Sequence, residues 1–162
     1  MINYIDGPEA RITDNDGIFV DLEYCGSDEK LCSLEPRRLF TKSGGSKYIA
    51  LLDSEGNQRA IIRDLNNLLP ESKEVVEKAL EEYYMIPRIT KFISMTEKFK
   101  IWMWTAETDK GIITFEIRNH MASVKPLYDG RVLIKDANDN RYEIPDYRKL
   151  DKRSRRLLEP KL

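Results

Sequence analysis

A short pattern occurs twice in the chain and constrains the fold more than any other feature. Ile49-Ala50-Leu51-Leu52-Asp53 is followed, after three intervening residues, by Asn57 and then by Ile61. Val132-Leu133-Ile134-Lys135-Asp136 is followed at the same spacing by Asn140 and Ile144. An apolar run, an Asp…Asn turn and a returning apolar run read as a hairpin. One deletion later Asp64 aligns with Asp146, Leu68 with Leu150, Ser72 with Ser154 and Glu77 with Glu159. Asp16-Gly17-Ile18 and Lys110-Gly111-Ile112 extend the match weakly. Two readings follow. Either the chain holds two similar hairpin-plus-helix units related by a pseudo-twofold, or common turn chemistry has recurred.

The remaining segments fit a β-rich chain. Arg11 to Thr13 and Ile18 to Tyr24 flank the turn Asn15-Asp16-Gly17, and Leu31 to Phe40 is extended, with Pro36 marking an edge or a bulge. Tyr48 to Leu52 and Gln58 to Ile62 form the first repeated hairpin. A helix follows Pro70, because Val75, Val76, Ala79, Leu80, Tyr83 and Tyr84 recur at three- and four-residue spacing. It stops by Ile86-Pro87, since proline disfavours helical geometry in the preceding residue. Strands are expected at Arg88 to Thr96, Phe99 to Thr105, Ile112 to Arg118, Arg131 to Lys135 and Arg141 to Ile144. A terminal helix is expected from Asp146 to about Leu158. The class is α+β and β-rich, with two pseudo-repeated units of antiparallel hairpins, each followed by a helix. A single domain over residues 1–162 is expected, with halves at about 1–86 and 87–162.

A census of side chains narrows the chemistry. The chain has 162 residues, 41% apolar and 34% charged, which describes a globular protein with a heavily charged surface. Its longest apolar stretch, Ile101-Trp102-Met103-Trp104, cannot span a membrane, and residues 1–8 lack a secretory pattern, so a cytoplasmic domain is expected. His120 is the only histidine, which excludes multi-His zinc sites and leaves a structural role as its reading. Cys25 and Cys32 lack metal-site spacing and read as buried structural thiols. No GxxxxGK[ST], GxGxxG or GxSxG motif occurs. Ser43-Gly44-Gly45-Ser46-Lys47 reads as a flexible connection before it reads as an anion cradle. Asp136 to Asn140 lacks the Gly and the closing Glu of a calcium loop, so a tight turn explains it. No metal or cofactor is expected.

Two features remain as candidates for contact with a ligand. Trp102 and Trp104 share one face of a strand whose other face carries Ile101 and Met103. A strand buried on both faces between a sheet and the long helix accounts for this, and an exposed aromatic surface is the alternative. Arg148 to Arg156 is the densest basic segment, readable as a solvated helix face or as an anion site built on Arg153, Arg155 and Arg156. Residues 1–30 carry eight acids and two bases, whereas residues 141–162 carry eight bases and four acids. Such polarity favours contact between the head and the tail of the chain and suits a homodimer. With a net charge of −1, nucleic acid is not the expected partner.

Several stretches together resemble one family. They are Tyr4-Ile5-Asp6-Gly7-Pro8-Glu9-Ala10, Tyr48-Ile49-Ala50-Leu51, Asp64-Leu65, Tyr84-Met85-Ile86-Pro87, Asp109-Lys110-Gly111 with Phe115, Asn140-Arg141-Tyr142-Glu143-Ile144-Pro145-Asp146, and Leu150 to Leu158. They resemble a bacterial family of domains of unknown function associated with cyanophycin metabolism, and the resemblance covers nearly the whole chain. Relatives of that domain also occur fused to exporter-type ABC transporters. The sequence departs from the family pattern at Lys110, where arginine is usual, and at Asp139, where glycine is usual. The family carries no assigned catalytic or binding residues. Asp109, Lys110, Arg141, Tyr142 and Asp146 from these stretches therefore join Trp102, Trp104, Arg153, Arg155 and Arg156 only as candidate positions for ligand or partner contact.

The resemblance implies a non-enzymatic binding or regulatory accessory protein of cyanophycin metabolism or transport. Its expected partners are the arginine-decorated polyaspartate, its peptides, or a protein of that pathway or transporter, with no membrane insertion. Two alternatives stay open: a small enzyme using carboxylate chemistry on a zwitterionic peptide, and a nucleic-acid-associated module.

Overall fold

A computed structural model describes residues 3–40 and 45–162, so Ser43 and Gly44 of the Gly-rich stretch lie outside the described residues. The chain divides into two compact units, Met1–Met85 and Ile86–Leu162.

The first unit contains β1 (Asn3–Ile5), β2 (Ala10–Asn15), β3 (Phe19–Tyr24), β4 (Lys30–Arg38), β5 (Lys47–Leu52), β6 (Gln58–Asp64) and helix α1 (Pro70–Met85). The strands form one sheet in the order β1-β6-β5-β4-β3-β2. All neighbours are antiparallel except β1, which runs parallel to β6. Strand β4 serves two neighbours in succession: its first half pairs with β3 as far as Leu34, and its second half pairs with β5 from Glu35. Pro36 therefore lies where β4 has already left β3, and its missing N–H breaks no ladder on that side. A bulge between Val20 and Leu22 accompanies the change, with Ser33 at φ 55°.

Asp21 holds that corner. Its carboxylate accepts from the Asn15 amide at 2.7 Å and from the Ser33 N–H at 3.0 Å. Burial raises the Asp21 carboxyl, but the Asn15 and Ser33 hydrogen bonds and the charge of Lys30 outweigh it and leave the group below its ordinary value.

Helix α1 buries Ser72, Val76, Ala79 and Leu80 against β2 and its neighbours, while Tyr84 is exposed. The apolar stripe is thus one turn nearer the N-terminus than the sequence pattern implies. The displacement has a chemical cause. The Ser72 hydroxyl accepts the Ile12 N–H at 3.0 Å, so a polar residue occupies the core face by capping the outer strand of the sheet.

The second unit contains β7 (Ile89–Lys98), β8 (Ile101–Thr108), β9 (Gly111–Ile117), helix α2 (His120–Ser123), β10 (Val124–Pro126), β11 (Val132–Lys135), β12 (Arg141–Ile144) and helix α3 (Lys152–Leu158). Two antiparallel sheets form, β7-β8-β9 and β10-β11-β12. One core serves both, because Phe115 of β9 stacks on Tyr142 of β12 at 4.2 Å and meets Trp104 of β8 at 6.0 Å. Phe92 closes on Trp104 edge-to-face at 5.8 Å.

Several expectations are corrected here. Strand β8 is inward-facing on one side only: Trp104, Ala106 and Thr108 are buried and Met103 is exposed, so it is not buried on both faces. Its inner face meets the core of its own unit, whereas α1 packs on β2. Cys25 and Cys32 are exposed rather than buried. His120 opens α2, capped by Asn119. The terminal helix is interrupted. Asp146 caps a 3-10 turn at Tyr147–Lys149, Leu150 is buried, and Asp151 starts α3 afresh.

Ser154 of α3 accepts the Phe92 N–H of β7 at 2.8 Å and donates to Asp151, its own N-cap. Alanine at Ser72 or at Ser154 leaves a buried strand N–H without an acceptor. Each substitution is expected to cost about 1–3 kcal/mol, read as a lowered denaturation midpoint of the full chain. A change within error at both positions would show that the outer strands need no cap.

Candidate functional site

In the second unit a series of ion pairs and backbone hydrogen bonds made by charged residues links five segments that are remote in sequence. It begins at the β8–β9 turn, where the Asp109 carboxylate accepts the Arg88 N–H at 2.8 Å. Arg88 forms an isolated parallel bridge with Glu143 in the middle of β12, and its Nε lies 3.5 Å from Glu143 Oε1. On the other side Arg131 places an amino nitrogen 3.9 Å from Glu143 Oε2. The Arg131 Nε in turn grips Asp129 at 2.8 and 3.0 Å. The Asp129 carbonyl accepts from Arg148 at 3.0 Å, and Arg148 forks onto Asp146 at 2.9 and 3.2 Å.

Local sequence explains each placement. The charged Glu143 stands between Tyr142 and Ile144, so strand alternation sends it to the opposite face from those two core residues. Asp129-Gly130-Arg131 makes the turn into β11, with Gly130 at φ +93°. A Cβ there would lie 2.8 Å from both Arg148 and Asp146, so the Arg148–Asp146 pair packs directly on the glycine. Arg148 holds the Asp146 carboxyl below its ordinary range, and Asp146 raises the Arg148 guanidinium in return. Three guanidiniums thus meet three carboxylates. Every acid in the series holds a loop or a strand end, and the arrangement acts as a clasp.

The Asp…Asn turns are built alike. The Asp53 carboxylate accepts the N–H groups of Glu55 and Asn57, each at 2.9 Å. The Asp136 carboxylate accepts those of Asn138 and Asn140, each at 2.9 Å. The Asn57 backbone N–H, first among these interactions, keeps the Asp53 carboxyl low. Asp136 additionally accepts the Tyr142 hydroxyl at 2.8 Å, and burial followed by that hydrogen bond pushes the phenol well above its usual pKa.

A second arrangement lies on α3. Ser154 and Leu158 face inward, and Lys152, Arg155, Arg156 and Glu159 line a groove of about 250 Å³. Asp151 caps this helix, and the Ser154 hydroxyl holds its carboxyl below the ordinary range. Arg155 pairs with Glu159 at 3.4 Å, whereas Arg156 makes no ion pair among the described residues. A lysine and two arginines sharing one groove can grip carboxylate or phosphate oxygens, with Glu159 available to a cation.

The ten residues singled out from sequence separate accordingly. Arg155 and Arg156 share the α3 groove; Arg153 is exposed but does not line it. Asp109 and Asp146 belong to the clasp, and Lys110 sits in the turn beside Asp109, its N–H on the Thr108 hydroxyl. Arg141 pairs with Lys135 across β11–β12 and is half-buried. Trp104 and Tyr142 are corrected to core residues, because edge-to-face and stacked contacts remove both from the surface. Trp102 is half-buried beneath Lys161, whose Nζ lies 4.5 Å from its ring.

Sequence reasoning missed Arg88, Asp129, Arg131, Glu143 and Arg148. The available signal was Glu143, a charge inside a strand with apolar residues on both sides. It also missed the aromatics exposed in the first unit: Phe40 and Tyr48 meet edge-to-face at 5.7 Å, and Arg38 covers Tyr84 at 5.6 Å. Among the described residues no three His, Cys, Asp or Glu side chains converge as metal ligands. No helix among them is long and apolar enough to cross a membrane.

The model of a family described as a domain of unknown function (DUF1854) matches residues 32–160. No curated protein and no solved structure matches the chain.

Proposed function

The chain belongs to the DUF1854 family of domains of unknown function, and from that premise we propose that it is a non-enzymatic binding or regulatory accessory protein of cyanophycin metabolism or transport. The observation that carries the reading is the α3 groove, where Lys152, Arg155 and Arg156 stand with Glu159 on one helix face. An arginine-decorated polyaspartate offers carboxylates and guanidiniums along one chain. The groove offers the complement of both, with the cations in excess. The titratable groups of the clasp face one another, whereas those of the groove are presented outward.

Calorimetric titration of the full chain with the polymer, with its Asp-Arg dipeptide and with the associated synthetase tests this. Binding that weakens with salt is expected, and charge reversal by Arg155→Glu together with Arg156→Glu should weaken it by about tenfold or more. No heat with any of the three, or an unchanged affinity in the reversed variant, would remove the proposal.

We infer further that the two units are copies of one module. Supporting this are the matched hydrogen bonds at Asp53 and Asp136, and the matched 3-10 turns capped by Asp64 and Asp146, each accepting at 3.0 Å. The matched strand caps Ser72 and Ser154 support it as well. The extra residue of the first copy lies in β6 as a register shift between Leu51 and Leu52, ahead of Ile61, whereas β11–β12 pairs without a shift, so Ile62 opposite Ile49 and not Ile61 takes the place of Ile144 opposite Val132. An experimental structure in which these segments fail to superpose would end this inference.

A further inference from the structure

The turn joining β7 to β8 is made by residues poorly suited to it. Lys98 pairs with Ile101, which leaves Phe99 and Lys100 as a two-residue loop, and both have positive φ, 55° and 64°. Asn-Gly fills such a loop without strain, whereas a bulky side chain in the left-handed region is held there at a cost. Phe99 is 86% exposed at the tip, and every residue from Thr96 to Lys100 is exposed. An aromatic ring is thus kept in water on a strained turn at the end of the longest hairpin of its unit, where neither folding nor packing needs it.

The surroundings of the ring indicate what it meets. Lys98 and Lys100 flank it in sequence, and the Lys98 Nζ lies 5.7 Å from the ring. Below the tip Glu97 pairs across the strands with Trp102, and Lys161 lies over the Trp102 ring. Two exposed lysines against one glutamate, with an apolar ring foremost and a half-buried tryptophan behind it, match a surface that is anionic outside and apolar just beneath. We propose that the β7–β8 tip is a finger for peripheral docking on an anionic lipid surface. Phe99 enters the interfacial zone, and Lys98 and Lys100 face the headgroups. Each lysine near such a surface multiplies affinity about fivefold, so the contact is weak, salt-sensitive and reversible.

Sedimentation of the full chain with phosphatidylcholine vesicles, with and without about one-third phosphatidylglycerol, tests the proposal at low and high salt. Wild-type protein is expected to sediment only with the anionic vesicles, and only at low salt. Phe99→Asn combined with Lys100→Gly removes the ring and one charge while installing the unstrained turn. This variant should bind about tenfold more weakly and melt at a higher temperature than wild type, so lost binding cannot be ascribed to misfolding. Lys98→Glu should weaken binding with the ring intact. Absence of sedimentation with anionic vesicles, equal binding to neutral ones, or undiminished binding by the Asn-Gly variant would each overturn the proposal.

Discussion

Glu143→Ala is expected to cost about 3–5 kcal/mol of stability, a large share of what a chain of this size has. The carboxylate is almost wholly buried between Arg88 and Arg131, and the Arg131 side chain is itself only 8% exposed. Removing the acid takes away the one carboxylate that Arg88 and Arg131 share, at a place where that carboxylate is only 4% exposed, while Arg131 keeps Asp129. Arg131→Met combined with Glu143→Leu should be less destabilising than Glu143→Ala alone, because the nearly buried Arg131 leaves with its acid, and the groups left behind, Arg88 and Asp129, have side chains 21% and 32% exposed to water. Denaturant unfolding of the three proteins reads the order directly. A loss under about 1 kcal/mol for Glu143→Ala would mean that the series of ion pairs does not hold the unit together.

Gly130→Ala is expected to cost about 2–4 kcal/mol, combining left-handed strain with displacement of the Arg148–Asp146 pair. Gly111→Ala provides the control. That glycine also has positive φ, at +105°, but a Cβ there meets nothing within 4 Å, so about 1–2 kcal/mol of strain alone is expected. The difference between the two measures the contact. Arg148→Ala in the Gly130→Ala background should recover part of it. Equal thermal shifts for the two glycine variants would show that Arg148 and Asp146 move aside freely.

Hairpins were legible because their information is local. Asp53 with Asn57, and Asp136 with Asn140, bond their own turn backbone, so the side chains that specify each turn also satisfy it. Helix α1 was legible through Val76, Ala79 and Leu80, whose spacing needs no knowledge of a partner. Ser72 and Ser154 were not. Their hydroxyls cap Ile12 and Phe92, roughly sixty residues away in each case, and a serine on a core face reads locally as a flaw in the pattern. Strand β1 escaped notice because three residues pairing parallel with β6 carry no periodicity of their own.

The site divides along the same line. Basic residues at 152, 155 and 156 share a helix face by spacing alone, and their groove follows from it. The clasp depends on Arg88, Glu143 and Arg131 meeting across segments, which no local pattern encodes. Trp104 shows the converse. Its alternation with Trp102 placed both on one face, but only the packing of Phe92 and Phe115 makes that face interior.

The serine hydroxyls on Ile12 and Phe92 bear on the company the protein keeps with itself. An unguarded sheet margin is a template on which a further copy can lay its own backbone, and then another. Here one donor on each of two outer strands is already taken by a helix hydroxyl, so a further copy laying its backbone along β2 or β7 must first displace that hydroxyl.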